Sequence, residues 1–523
     1  MGPLYPGCRN LHFIWNSLRP VRAGLGVVAL ILVILSGRAR AESAADAANR
    51  ANCSQLPQID PAKSFVGNFS GPCWALRMES GNGTSQSGDP NAIYDEIYYT
   101  VNPGYELIIL GQFPNARFLS ATAYDEHLAA TGVLVDNQIL PLNSSFTNPY
   151  LPGANYKPGQ WYGLRVSFGG GPPLTVAPGC NVAPNIETNS FDVTQIHSGM
   201  TWQGYPGLPA GFPQHQTGPN ASGMVTIRKY ASISAPINET VIVRSLADGC
   251  AIPAQQAVQL GLISASQGVT STWLNQSQIN THHQFSTQIE SAQCFPPDPR
   301  NQVQWQRQTD YIAVNDTAAG YQNAAISASQ MQSLLAGQSF LRVQLKAPTT
   351  PAIPCTTGFC TLTGNEQVRY LSISLQSPAL TFMGPVTVYS IADQSFVKDP
   401  NGNVTLLFSF GAIPPPQVTA ANYYTYIDMT QVSGFQNVIG IREREILPNA
   451  TFKCSIGNIP LMTTEFNPSG GYMGPYVPTV DFPTAAQLPT IPVPISRPNS
   501  CGLVPTQQPA ACAVQTNLKV TLP

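Results

Sequence analysis

Ala116-Arg-Phe-Leu-Ser120 and Val368-Arg-Tyr-Leu-Ser372 are the two stretches on which the fold turns. Each follows an apolar run and a Pro-containing turn. Each alternates a charge, an aromatic ring, a leucine and a serine, the period of a strand rather than of a helix. Reading outward, Val135-Asp136-Asn137-Gln138 after the first stretch matches Ala392-Asp393-Gln394 after the second. Further on, Ser167-Phe-Gly169 matches Ser409-Phe-Gly411. The order is the same in both halves: an Arg-aromatic-Leu-Ser strand, an Asp turn, then a closing Ser-Phe-Gly strand. From Arg to the closing Ser the intervals are 50 and 40 residues, a difference that surface loops absorb. This predicts two related β-domains in tandem.

The rest of the sequence agrees with a mainly β chain. Glu96-Ile-Tyr-Tyr-Thr-Val101, Tyr105-Glu-Leu-Ile-Ile-Leu110, Trp161–Phe168, Met224–Tyr230 and Thr240–Arg244 are short β-rich runs. Leu341–Leu345, Val368–Ser374, Val386–Tyr389 and Val404–Phe410 repeat the pattern. Their spacing between Pro, Gly and Asn turns suits sandwiches or jelly rolls. Between them, Tyr321, Ala324, Ala328, Met331 and Leu335 recur at helical spacing, with Thr317 as N-cap and Gly337 as stop. The expected layout is a first β-sandwich over 63–252, a helical insertion over 253–339, a second β-sandwich over 340–455 and a Pro/Gly-rich stapled tail over 456–523.

A resemblance adds to this. Phe113-Pro-Asn-Ala-Arg-Phe-Leu-Ser120, Ala123-Tyr-Asp125, Asn148-Pro-Tyr150, Leu341-Arg-Val-Gln-Leu-Lys-Ala-Pro348, Gln367–Ser372 and Arg442-Glu-Arg-Glu-Ile-Leu-Pro448 carry it. Over about residues 90–455 the chain resembles exported, largely uncharacterised bacterial proteins with paired β-sandwich envelope domains. The resemblance implies a fold and a compartment but no reaction.

The N-terminus points to export. Arg9, Arg19 and Arg22 precede the apolar run Gly24–Leu35, and Ala39-Arg40-Ala41 is a cleavage pattern before Glu42. Residues 1–41 are therefore read as a signal peptide and 42–62 as a flexible lead-in. The whole chain has Lys+Arg 25 and Asp+Glu 27, a net of −2. Residues 1–41 hold five of those Arg and no acid, so the mature chain carries −7. That balance disfavours nucleic acid as a partner, and no later segment is long and apolar enough to span a bilayer. Eleven Cys less Cys8 leave ten, an even number that reads as a disulfide framework in an exported protein. Cys53–Cys73, Cys355–Cys360 and Cys501–Cys512 are the expected local pairs. The expected compartment is the periplasm or the exterior, and the expected partner an extracellular ligand or an envelope component.

Charge is scarce, at 10% of residues, so charges placed in strands stand out. Arg117 and Arg369 lie among apolar neighbours, and a buried Arg needs a carboxylate. Asp136 and Asp393 are the nearest in pattern, which predicts one Arg–Asp clamp inside each repeat. Asp125, Glu126 and His127 put two carboxylates beside an imidazole, a weak acid–base candidate. His197 and His215 share a Gly/Pro/aromatic loop and are weak metal candidates. The chain has no G-x-S-x-G, H-E-x-x-H, phosphate loop or dinucleotide fingerprint, and nothing in it calls for a cofactor. Ligand or partner binding, a hydrolase of unrecognised type, and a structural envelope role stay open.

Overall fold

The computed structural model describes residues 76–78, 89–125, 130–154, 158–169, 171–177, 185–193, 222–231, 239–252, 254–264, 302–303, 305–307, 319–352, 362–381, 384–458, 473–493 and 501. All of them belong to the unit Ala48–Pro523.

Alternation carries through into strands. The first half supplies β1 (Leu76–Met78), β2 (Ala92–Thr100), β3 (Tyr105–Gln112), β4 (Phe118–Asp125), β5 (Ala130–Val135), β6 (Trp161–Ser167), β7 (Ser190–Asp192), β8 (Ser222–Tyr230), β9 (Thr240–Ser245), β10 (Ala251–Ile252) and β11 (Ile263–Ser264). The second supplies β12 (Trp305–Arg307), β13 (Ala319–Ala325), β14 (Leu341–Lys346), β15 (Tyr370–Thr381), β16 (Gly384–Ala392), β17 (Asn403–Ser409), β18 (Tyr424–Asp428), β19 (Gly440–Ile446) and β20 (Thr479–Asp481). The longest helix among the described residues is Ala328–Leu335.

Four sheets result, ordered β1-β2-β8-β4-β5 with β11 also on β2, β10-β9-β3-β6-β7, β12-β13-β19-β15-β16, and β18-β17-β14-β20. The third repeats the first and the fourth repeats the second. Even the exceptions recur, since β6–β7 and β17–β18 are the parallel pairs in otherwise antiparallel sheets. Register fixes the correspondence residue by residue. Tyr230 lies between Ala92 and Phe118, and Ile446 lies between Ala319 and Tyr370. Arg117 N–H bonds to the Tyr230 carbonyl, and Arg369 N–H bonds to the Ile446 carbonyl, each at 2.9 Å.

Two sandwich cores follow from the two-residue period. Ile97, Leu119, Ala121, Val225 and Ile227 of the first sheet pack with Leu107, Ile109, Leu164, Val166 and Val243 of the second. Leu371, Ile373, Leu375 and Ile441 of the third pack with Val343, Leu345, Leu406 and Phe408 of the fourth. The opposite faces of the first and third sheets are covered as well, and they meet in a separate cluster of Tyr94, Phe118, Tyr230, Tyr321, Tyr370 and Ile446. The seam between the repeats is thus built from the outer side of each sandwich.

Several expectations change. Ala319–Ala325, expected to be helical, is strand β13; the helix starts only after Ser327, which caps it through the Gln330 N–H. Ala319 and Tyr321 point to the seam, so tertiary burial overrides a spacing that also fits a helix. Met331 and Leu334 are its buried residues, while Leu335 is 40% exposed. Gly337, with φ +68°, does end it. Thr317 lies outside the described residues. The second β unit also reaches beyond 340–455, taking in β12 and β13 before it and β20 of the expected tail after it. Cys501 bonds to Cys454, not to Cys512, which ties the tail back to the end of the second sandwich. Cys250 is also disulfide-bonded. Cys53, Cys73, Cys355, Cys360 and Cys512 lie outside the described residues.

Candidate functional site

The seam-side face of the first sheet is a grid of three strands. Its rows read Ala92–Tyr230–Phe118, Tyr94–Arg228–Ser120, Glu96–Thr226–Thr122 and Tyr98–Met224–Tyr124. The first row is aromatic and closes the seam. The next rows turn polar, yet every side chain in them is buried. A buried face this polar is unusual, because each such group must recover the hydration it loses.

Glu96 is the focus. Burial drives its carboxyl up, and although Arg228 and the Tyr98 hydroxyl oppose the rise, the pKa reaches about 7. Tyr98 donates to Glu96 Oε2 at 3.3 Å. Arg228 donates to the Thr122 hydroxyl at 3.0 Å and to the Tyr124 hydroxyl, and its guanidinium lies 5.4 Å from the Tyr124 ring centre. Two atoms on facing residues are left over. Glu96 Oε1 and Thr226 Oγ1 are both buried and have no hydrogen-bond partner among the described residues. Gly223, next along β8, keeps this end open to close packing: a Cβ there would fall 2.6 Å from the Tyr124 carbonyl oxygen. The Tyr99 hydroxyl bonds to that same oxygen at 3.1 Å.

A second charged group lies on the sandwich side of the same sheet. Lys229 Nζ meets Asp95 Oδ2 at 3.1 Å and Glu239 Oε2 at 2.6 Å. Tyr162 donates to the other Glu239 oxygen at 3.0 Å. All four are buried, and the group links both sheets of the first sandwich.

The Arg–Asp clamps exist, but they cross. Arg117 Nη1 bonds to both oxygens of Asp393 at 2.7 Å. Thr350 Oγ1 adds a bond to Asp393 Oδ2 at 2.7 Å. Arg369 lies 3.8 Å from Asp136 and bonds to the Tyr150 carbonyl at 3.2 Å. The expected partners within each repeat are therefore exchanged. The cause is the location of the two Arg at the seam, where the nearest Asp belongs to the opposite repeat. A third pair crosses too: Arg444 meets Asp89 Oδ2 at 2.6 Å, and Tyr370 and Ser372 donate to that oxygen at 2.7 Å. Burial works to raise the Asp89 pKa, but Arg444 and these hydrogen bonds hold it below the usual carboxylate value.

Of the other sequence candidates, Asp125 ends β4 one residue past Tyr124, opposite Gly223. Glu126, His127, His197 and His215 lie outside the described residues. Among the described residues no group of three His, Cys, Asp or Glu is placed to hold a metal. Sequence reading passed over Glu96, although it quoted the strand that holds it. The available signal was an acidic residue at an alternating position in a run that is otherwise apolar and aromatic.

No protein-family model matches the chain. No curated protein matches it either. Solved structures similar to the chain include the following two. An uncharacterized protein from Burkholderia cenocepacia shares 13% identity over 86% of this chain and 93% of its own, with a TM-score of 0.40. The VPA0106 protein from Vibrio parahaemolyticus shares 6% identity over 69% of this chain and 86% of its own, with a TM-score of 0.29.

Proposed function

We infer that this chain is an exported binding protein, acting at the cell envelope or outside the cell, whose ligand site is the Glu96 face of the first repeat. The observation that carries this reading is that Glu96 Oε1 and Thr226 Oγ1, on facing residues of β2 and β8, are both buried without a hydrogen-bond partner among the described residues. Leaving such groups unmade costs about 1–3 kcal/mol each, and a ligand that meets them recovers that cost. With its pKa near 7, Glu96 can donate or accept a hydrogen bond, as can a threonine hydroxyl. The matching ligand is a small, uncharged molecule rich in hydroxyl or amide groups, flanked by the Tyr98 and Tyr124 rings. The signal-like N-terminus and the even cysteine count support export.

The test is thermal shift and calorimetric titration of the mature chain with sugars and polyols, comparing wild type with Thr226→Val and Glu96→Gln. A hydroxyl-bearing ligand should raise the melting temperature of wild type, and Thr226→Val should lose most of the shift while keeping its fold. Equal shifts in wild type and both variants would remove the site from this face.

One observation favours an enzyme as the second reading: a carboxyl titrating near neutrality suits general acid–base work. Hydrolysis that follows a single ionisation near pH 7 and disappears in Glu96→Gln would select it over simple binding.

A further inference from the structure

The crossed clamps are reciprocal. Arg117 and Arg369 hold the same register position in their repeats, and so do Asp136 and Asp393. Arg117 meets Asp393 while Arg369 meets Asp136. Such i-to-j and j-to-i reciprocity is what two identical subunits make about a twofold axis. Rings meet across the seam as well, with Tyr230 of one repeat and Tyr370 of the other 5.1 Å apart. A third observation is independent of the clamps. Arg444 crosses to Asp89, and the register counterpart of Arg444 in the first repeat is Arg228. The first repeat therefore holds residues of both signs at the positions of these crossing ion pairs, Arg117 with Asp136 and Arg228 with Asp89, while Arg228 itself bonds within its own repeat to Thr122 and Tyr124. Its seam face is complementary to a second copy of itself.

We propose that the seam is a subunit-type interface enclosed within one chain, and that the partner each repeat's face fits is a second copy of the same fold, including a repeat supplied by another molecule of this protein. The geometry sets a sign rule. Reversing the clamp charges of one repeat mismatches both clamps, and reversing them in both repeats restores both.

The experiment uses three full-chain variants: R117D/D136R, R369D/D393R and the quadruple combination. Each double should lower the melting temperature, on the order of 5–10 °C for two mismatched buried clamps. The quadruple should recover most of that loss. Co-refolding the two doubles in a redox buffer then tests the partner. Exchange of repeats gives a mixed dimer in which every clamp is matched, so a species of twice the chain mass with a recovered melting temperature should form from the mixture and from neither double alone. A wild-type melting temperature in R117D/D136R would overturn the crossing. A quadruple no more stable than the doubles would overturn the reciprocity, even if a double fails to fold. A mixture that yields no dimer would overturn the second copy as partner.

Discussion

Laid over one another, the two repeats agree at the seam and part company one row further in. Tyr94, Arg228 and Ser120 of the first have Tyr321, Arg444 and Ser372 as counterparts. In the next row Glu96, Thr226 and Thr122 give way to Asn323, Arg442 and Ser374. There Arg442 donates to Asn323 at 2.8 Å, and Gln376, with its amide turned to accept, takes two more bonds from it. The acid of one repeat is thus replaced by a guanidinium–amide network in the other. The sandwich side diverges as well, with Asp95 and Lys229 standing where the second repeat has Gln322 and Glu445. Residues shared by both repeats answer to the architecture that both must build. Residues present in one alone are free of that demand, which is why the Glu96 row is read as chemistry and the Arg117 row as construction.

The largest effect should come from the charged group that only the first repeat has. Lys229→Met leaves Asp95 and Glu239 buried without their countercharge, and removing one partner of such a network costs about 3–5 kcal/mol. Chemical denaturation of the full chain reads it; a loss below 1 kcal/mol, roughly that of an exposed pair, would mean the group is solvated. The clamps come next, because they are shared but not equal. Arg117→Leu should cost about 3–5 kcal/mol, since its Asp393 contact is short and fully buried. Arg369→Leu should cost about 1–2 kcal/mol, because Arg369 is 12% exposed and 3.8 Å from Asp136. Equal losses would mean the two repeats load the seam evenly.

Glu96 gives the comparison a pH axis that Asn323 lacks. Its pKa is about 7 in the fold against 4.5 for a free glutamate. Below 4.5 both states hold the proton and the residue adds no pH dependence. Between 4.5 and about 7 the unfolded chain has lost a proton that the fold retains, so stability falls as pH rises, by about 3 kcal/mol in all. Glu96→Gln should abolish that slope and be the more stable protein at pH 8. Asp89 works the opposite way. Its pKa is lowered, so its contribution is present above the ordinary carboxylate range and is lost as pH falls through its folded value. The seam should therefore loosen in acid while the Glu96 row tightens. Denaturation midpoints from pH 3 to 8 separate the two, and an unchanged slope in Glu96→Gln would place the titration elsewhere.

The strands were legible because their signal is local. Arg-aromatic-Leu-Ser needs only a two-residue period to be recognised, and both copies fold as read. The clamp residues were legible for the same reason, since a charge in an apolar run has to be paired. Their partners were not, because Arg117 and Asp393 are 276 residues apart and nothing local separates a pair inside a repeat from one across it. Asp125-Glu126-His127 stays a candidate of sequence alone, since only Asp125 of the three lies among the described residues. Glu96 and Thr226 meet only through the β2–β8 register, which no reading of one strand supplies.

The smallest difference between the repeats is a connection. β2 and β3 are joined through Val101–Gly104, whereas β13 and β14 are joined by the helix Ala328–Leu335. Eight residues are too few for a helix to be stable by propensity alone, so its ends and its buried face must hold it. Ser327 accepts from the Gln330 N–H while Gln330 reaches back to the Ser327 N–H at 2.8 Å, and Leu334 enters the second core. Ser327→Ala removes one half of that reciprocal cap and should cost about 1 kcal/mol. Because no counterpart exists in the first repeat, hydrogen exchange should quicken at 328–335 and along β14, and stay unchanged in β2 and β3. Faster exchange in β3 as well would show that the seam transmits even this small loss, making the two repeats one cooperative unit.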